Sequence, residues 1–308
     1  MSKIKIGTRG SKLAMWQAEE VRRKLSEVHP ELETELVVIH TKGDKILDTA
    51  LSKIGDKGLF TRELEQALLD SEIDIAVHSL KDMPTELPEG LMLGGVLERG
   101  EVRDAFISRD GRRLSELTAN DKVATSSLRR KAQLLALFPH LTVVDIRGNV
   151  DTRIQKMQDG HCDGIVVAGA GMERLGLSNL ITEYLDPQTV LPAVSQGAIA
   201  IEMREDDEDI YELVDLINHF ATWQAIVAER AFLRTMEGGC QIPLACYTSV
   251  VEGRFRMDAM VASLDGTKLI KDSFECNPEE ASEEAIMLAQ RMLENGAEEI
   301  LNIIRGNE

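Results

Sequence analysis

At 308 residues the chain exceeds the size at which one hydrophobic core keeps growing, so two or three domains are expected. Hydrophobic residues make up 43% and aromatics 4%, and no run approaches the roughly 20 apolar residues of a membrane-crossing helix. A formal charge of -18 argues against general nucleic-acid or anionic-membrane binding, and four scattered cysteines (Cys162, Cys240, Cys246, Cys276) argue against a disulfide scaffold.

The start, Met-Ser-Lys-Ile-Lys-Ile-Gly-Thr-Arg-Gly, alternates charged and apolar residues as a strand does and lacks the apolar block of a secretory signal, so a cytoplasmic protein is expected. A strand over Lys3 to Thr8 precedes a helix from Ser11 to Val28, with Leu13, Trp16, Val21 and Leu25 on one face, and then a strand over Glu35 to His40. The Lys/Gly-rich stretch Thr41 to Gly58 reads as a mobile loop; helix Thr61 to Leu69 and an apolar strand, Ile73 to His78, follow. This is the rhythm of a parallel α/β sheet. It restarts at Asp104: strands Ala105 to Ser108 and Lys122 to Ala124, helix Leu128 to Phe138, strand Leu141 to Ile146, helix Thr152 to Gln158 and strand Gly164 to Ala168. A helix from Ala221 to Met236 runs into Glu237-Gly238-Gly239-Cys240. Strands with turns at Glu252-Gly253 and Asp265-Gly266, then a helix over Pro278 to Glu294, predict a small α+β domain.

Charge is uneven along the chain. Residues 121–174 hold six acidic and eight basic side chains, against ten and three in residues 271–308. An acidic protein with a locally basic stretch points to a small anionic ligand. Three strand-to-helix junctions carry the donors for one: Thr8-Arg9-Gly10-Ser11, Thr125-Ser126-Ser127-Leu128-Arg129-Arg130 and Arg147-Gly148-Asn149-Val150-Asp151-Thr152-Arg153. Each sets hydroxyl and guanidinium groups beside the amide donors of a helix N-terminus. At any one junction the alternative is equally open, with Ser and Thr as N-caps and arginines paired to surface acids. Carboxylate is preferred over phosphate because no junction has P-loop or dinucleotide spacing, and the arginine fork matches a carboxylate.

His78-Ser79-Leu80-Lys81-Asp82-Met83-Pro84 emerges at a strand's carboxyl end, where open α/β sheets bind ligands, and makes Asp82 the carboxylate to watch. Its alternative is a turn residue ahead of Pro84. Cys240 sits in a Gly-rich loop with no recognisable catalytic histidine, and no His, Cys, Asp or Glu group has metal-ligand spacing.

In combination and order, Thr41-Lys42-Gly43-Asp44, Lys57-Gly58-Leu59-Phe60, Asp74 to Asp82, Arg103-Asp104-Ala105-Phe106, Thr125 to Arg130, Arg147 to Val150, Leu191 to Val194 and Glu237 to Cys240 resemble the porphobilinogen deaminase family over nearly the whole chain. The resemblance implies two periplasmic-binding-protein-like α/β domains with a double crossover, plus a small α+β C-terminal domain. Their bounds would be 1–98 with 198–216, 99–197, and 217–308.

It further implies a transferase that joins four porphobilinogen molecules head to tail with loss of ammonia and releases hydroxymethylbilane by hydrolysis. The primer would be a dipyrromethane cofactor, self-assembled and held by a thioether at Cys240. Asp82 would be the catalytic carboxylate, opposite the cationic azafulvenium left by deamination. Lys81, Ser79, Thr125, Ser127, Arg129, Arg130, Arg147 and Gly148 would hold the cofactor; Arg9, Ser11, Arg153, Arg174, Gln196, Lys53, Lys57 and Phe60 would hold substrate. A monomer without metal, nucleic-acid or membrane partners is implied. The chain departs from the commoner family pattern at Asp56, Ala124 and Ser195, where Gly is usual, and at Gly169, which interrupts an apolar run. The competing classes are a binding protein for a carboxylated ligand and a cysteine hydrolase.

Overall fold

The computed structural model describes residues 3–45, 58–237 and 242–306. They divide into two units, and the chain passes from the first to the second after Gly100, back after Gln196 and over again after Trp223.

In the first unit, β1 (Ile4–Thr8), α1 (Lys12–Val28), β2 (Thr34–Val38), α2 (Lys42–Lys45), α3 (Arg62–Leu69), β3 (Ile75–Ser79) and β4 (Leu91–Val96) precede the excursion to the second unit. The five-stranded sheet has the order β2-β1-β3-β10-β4, in which β10 is Ile199–Arg204. Strands β1, β2 and β3 are parallel, as the alternating rhythm predicts. The returning β10 lies antiparallel to β3 and β4, so the sheet is mixed. Along β3, Ile75 and Val77 enter the core beneath α1 while Ala76 enters the one beneath α3, which is why this strand reads as a continuous apolar run. Helix α1 turns Ala14, Gln17, Ala18, Val21 and Leu25 inward. Trp16, expected on that face, is 39% exposed, because at about 100° per residue it stands half a turn round the helix from Leu25 and so faces away from the core. The Thr41 to Gly58 stretch was expected to be a mobile loop; its first residues form the short α2, and residues 46–57 lie outside the described residues.

The second unit has β5 (Asp104–Ser108), β6 (Lys122–Ala124), α4 (Leu128–Leu137), β7 (Thr142–Val144), α5 (Val150–Gln158), β8 (Gly164–Ala168), α6 (Gly169–Arg174) and β9 (Glu183–Tyr184). Their sheet order is β7-β6-β8-β5-β9. The first three strands of that order, β7, β6 and β8, are parallel, and β5 runs antiparallel to β8, pairing Asp104 with Ala168.

The rest of this unit is the α+β portion expected at the C-terminus. Strands β11 (Leu244–Val251), β12 (Arg254–Ala262) and β13 (Leu269–Cys276) form an antiparallel sheet, joined by α8 (Phe220–Thr235), α9 (Ala281–Met292) and α10 (Glu298–Arg305). Helix α7 (Glu208–Asp215) belongs to the first unit. Phe232, Phe255, Met257, Leu288 and Leu301 fill the C-terminal core. The Glu252-Gly253 turn has φ of +51° and +76°, the two positive values that a two-residue hairpin with right-handed twist requires.

One departure from the family pattern has a conformational cost. Ser195 adopts φ +61° and is 1% exposed; its amide donates to Glu229 Oε2 at 2.6 Å, and its Oγ finds no partner among the described residues. Left-handed backbone at a non-glycine residue costs about 1–3 kcal/mol and a stranded buried hydroxyl about as much, against about 0.4–1 kcal/mol of unfolded-chain entropy that Gly would add. Ser195→Gly is therefore expected to raise stability by about 1–2 kcal/mol in urea unfolding. A lower midpoint at unchanged slope would show that the serine is not strained.

Candidate active site

Strand direction gathers the candidate residues. In the first unit the parallel β1, β2 and β3 all end at one edge of the sheet, so Thr8-Arg9, Thr41 to Asp44 and Ser79 to Asp82 follow strand ends on the same side. Ser11 caps α1 by accepting from Ala14 N at 3.2 Å, and buried Thr8 donates to the Ala14 carbonyl at 3.0 Å. Arg9 reaches Asp44 through Nε and Nη2, and its guanidinium carbon lies 4.2 Å from the centre of the Phe60 ring.

After β3 the chain makes one 3-10 turn over Leu80–Asp82. It is pinned by Leu80 N to the Ala198 carbonyl at 3.1 Å and by the buried side chains of Leu80 and Met83. With both neighbours turned into the core, Asp82 is left exposed and Lys81 half-buried. Ser79 exchanges hydrogen bonds with the Gln17 amide, 2.8 Å from Nε2 to Oγ. Behind them, buried His78 Nε2 lies 2.9 Å from Glu202 Oε2. Burial pushes the nearby Glu65 carboxyl above its ordinary range, with Glu202 adding to the rise and Thr61, His78 and Arg62 opposing it.

The second unit repeats the logic. The parallel β6, β7 and β8 end together, so Thr125 to Arg130, Arg147 to Arg153 and the α6 segment ending at Arg174 follow one sheet edge. Ser127 caps α4, accepting from Arg130 N at 3.4 Å; Thr125 is buried, and its Oγ1 accepts from Ser127 N at 3.3 Å. Arg147 is half-buried, and Arg153 Nε donates to the Gly148 carbonyl at 2.8 Å. The N-cap reading thus holds for Ser11 and Ser127. Capping uses a lone pair and leaves each hydroxyl proton for a ligand.

Because β5 is antiparallel, Asp104 at its start lands at this same edge, fully buried. Arg129 donates to both its oxygens, at 2.8 and 3.3 Å, and Arg130 Nη2 and Gln196 Nε2 each donate to Oδ1 at 2.8 Å. Both arginines are buried, and each has an Nε with no partner among the described residues. Burial alone would raise the Asp104 carboxyl, but the two guanidiniums outweigh it and hold the group far below the usual carboxylate range. Burial pulls Arg129 down from the ordinary guanidinium value while Asp104 opposes this, and a group that starts so high stays cationic. Arg129, Arg130 and Gln196 therefore share an internal carboxylate. The Arg103-Asp104-Ala105-Phe106 motif was the signal for it.

Cys240, Lys53 and Lys57 lie outside the described residues. Cys162, Cys246 and Cys276 are buried. Burial pushes the Cys162 thiol up to about 11 and raises that of Cys276, which disfavours the thiolate a nucleophile needs. Among the described residues no group of three or more His, Cys, Asp or Glu could hold a metal ion, and no helix is long and apolar enough to cross a membrane.

The family model described as porphobilinogen deaminase, dipyromethane cofactor binding domain, matches residues 4–212, and that of the C-terminal domain matches 223–294. The chain belongs to the porphobilinogen deaminase family. The porphobilinogen deaminase of Carboxydothermus hydrogenoformans is 52% identical over 300 residues, covering 97% of this chain and 96% of that one. That of Syntrophomonas wolfei is 50% identical over 301 residues, covering 98% of each. Among solved structures, the BenM effector binding domain with benzoate is 15% identical with a TM-score of 0.44, covering 73% of this chain and 94% of that one. A TRAP periplasmic solute binding protein from Desulfovibrio salexigens is 12% identical with a TM-score of 0.43, covering 73% and 74%.

The enzyme class and the dipyrromethane cofactor expected from the sequence are those of a porphobilinogen deaminase. The residues at the second unit's sheet edge suit a group bearing several carboxylates: arginine and hydroxyl donors predominate there, and the one buried acid, Asp104, is already neutralised.

Proposed function

We propose that the chain deaminates porphobilinogen and joins four molecules head to tail on a dipyrromethane at Cys240, releasing hydroxymethylbilane, as a cytoplasmic monomer without metal. The observation that carries the residue roles is the common strand-end edge in each unit, which collects the cationic and hydroxyl donors and, at Asp82, one exposed carboxylate. The domain bounds read from the sequence are part of the same proposal.

When bound, the dipyrromethane supplies the free pyrrole carbon on which chain growth begins. The protein's own residues bind, orient and stabilise charge. Arg147, the Gly148 backbone, Thr125 and Ser127 take cofactor carboxylates, and Lys81 and Ser79 have the same role. Arg129 and Arg130 are assigned to the cofactor as well, each with a buried Nε that Asp104 does not use. Arg9, Ser11, Arg153 and Arg174 take carboxylates of substrate and growing chain, with Lys53, Lys57, Phe60 and Gln196. Asp82 faces the positive charge that appears on the pyrrole as ammonia leaves, and takes up and returns protons through its Oδ atoms. A unit charge pair about 4 Å apart at an effective dielectric near 20 interacts by about 4 kcal/mol before desolvation is charged against it, enough to matter to a rate.

Intact-mass measurement tests this reading. The purified protein is expected to be heavier than its 34.1 kDa sequence mass by two linked pyrrole units, and peptide mapping should place them on Cys240. An unmodified mass in an active preparation, or pyrroles on Cys162, Cys246 or Cys276, would overturn it and favour a plain binding protein or another attachment point.

A further inference from the structure

The Thr41-Lys42-Gly43-Asp44 motif has no part in the roles above, yet three separate segments meet on it. Asp44 Oδ2 accepts from Thr41 Oγ1 at 2.8 Å and from Thr41 N at 3.2 Å, which fixes the carboxylate relative to its own backbone. Its Oδ1 accepts from Arg9 Nη2 at 2.5 Å and from Arg9 Nε at 3.2 Å. The Phe60 ring supports the same guanidinium from its face. Gly43 makes this possible: a Cβ there would lie 2.2 Å from the Phe60 ring, and its amide closes the contact by donating to the Leu59 carbonyl at 3.1 Å. Burial pushes the Asp44 carboxyl up, but Arg9 and Thr41 outweigh it and keep the group ionised.

We propose that Asp44 is a positioning residue for substrate: with Thr41 and Phe60 it grips Arg9 by the Nε/Nη2 edge and so presents the Nη1/Nη2 edge to a pyrrole carboxylate. This rests on the reading of Arg9 as a carboxylate holder. A long arginine side chain loses rotamer freedom when a ligand orders it, and a guanidinium ordered beforehand binds more tightly for that reason. Asp44's own charge works against an incoming carboxylate, but it stands at the neighbouring edge of the guanidinium, and the planar fork keeps a second pair of parallel donors. Ordering therefore outweighs repulsion.

The test is steady-state kinetics on cofactor-loaded wild type, Asp44→Asn, Arg9→Leu and the double variant, each with its melting temperature. Asp44→Asn is expected to raise KM for porphobilinogen about tenfold, with most of the loss in kcat/KM lying in KM, and Asp44→Glu to restore part of it. Thr41→Val, which removes the hydroxyl steering Asp44, should raise KM about threefold and serves if Asp44→Asn folds poorly. The double variant should be no worse than Arg9→Leu, since Asp44 acts only through Arg9. If Arg9→Leu raises KM while Asp44→Asn leaves it at or below the wild-type value, or if the double variant is worse than Arg9→Leu, the role of Asp44 is overturned. If Arg9→Leu leaves KM unchanged, the reading of Arg9 itself falls.

Discussion

Asp82→Asn is expected to lower turnover of porphobilinogen by about a hundred-fold to a thousand-fold. The amide keeps the size of the side chain and some of its hydrogen bonding but loses the charge that faces the cationic pyrrole. If that charge supplies about 3–4 kcal/mol in the transition state, the rate falls by that factor. The protein should remain folded: Asp82 is exposed, and the turn that carries it is held by Leu80, Met83 and the Ala198 carbonyl, none of which uses the carboxylate. Asp82→Glu keeps the charge but moves it by one methylene, so its residual activity should lie above that of the Asn variant. The measurement is single-turnover ammonia release by cofactor-loaded protein at saturating porphobilinogen. An Asn variant that releases ammonia at the wild-type rate would reduce Asp82 to a turn residue and reopen the search for the catalytic carboxylate.

Asp104→Ala is expected to cost about 3–5 kcal/mol of stability, because it leaves two buried guanidiniums without their shared counter-charge. The magnitude follows from the geometry: Asp104 is wholly buried and accepts four hydrogen bonds from Arg129, Arg130 and Gln196. Arg129→Leu should cost less, since Arg130 still balances the carboxylate. A pH signature separates this network from ordinary packing. Asp104 is held below its unfolded value of about 3.9, so the folded state binds the proton more weakly than the unfolded chain does. Its contribution is fully present above about pH 5 and is lost as pH falls through about 4 towards the folded value. Asp104→Asn should therefore flatten the acid limb of the stability curve between about pH 5 and pH 2. Urea unfolding across that range reads both effects. A loss under about 1 kcal/mol, with an unchanged acid limb, would show that the arginines find other partners.

What the sequence by itself determined was the local part. The apolar run of β3 and the Glu252-Gly253 turn are set by side-chain periodicity and by backbone conformations that few residues accept, and these act within a few positions of one another. The motif order likewise placed the chain in its family before any contact was known. Only the tertiary structure decided the partners of the arginines. Arg9 finds Asp44 across 35 residues and Arg129 finds Asp104 across 25, through strand ends brought to one edge by parallel β1 to β3 and by an antiparallel β5. Strand direction of that kind depends on how the chain returns from the other unit, which no local pattern records. For the same reason β5 was read into a parallel sheet and the returning β10 was not read as a strand; Trp16 was placed inside although nine residues set it half a turn round the helix from Leu25, on the face away from the core.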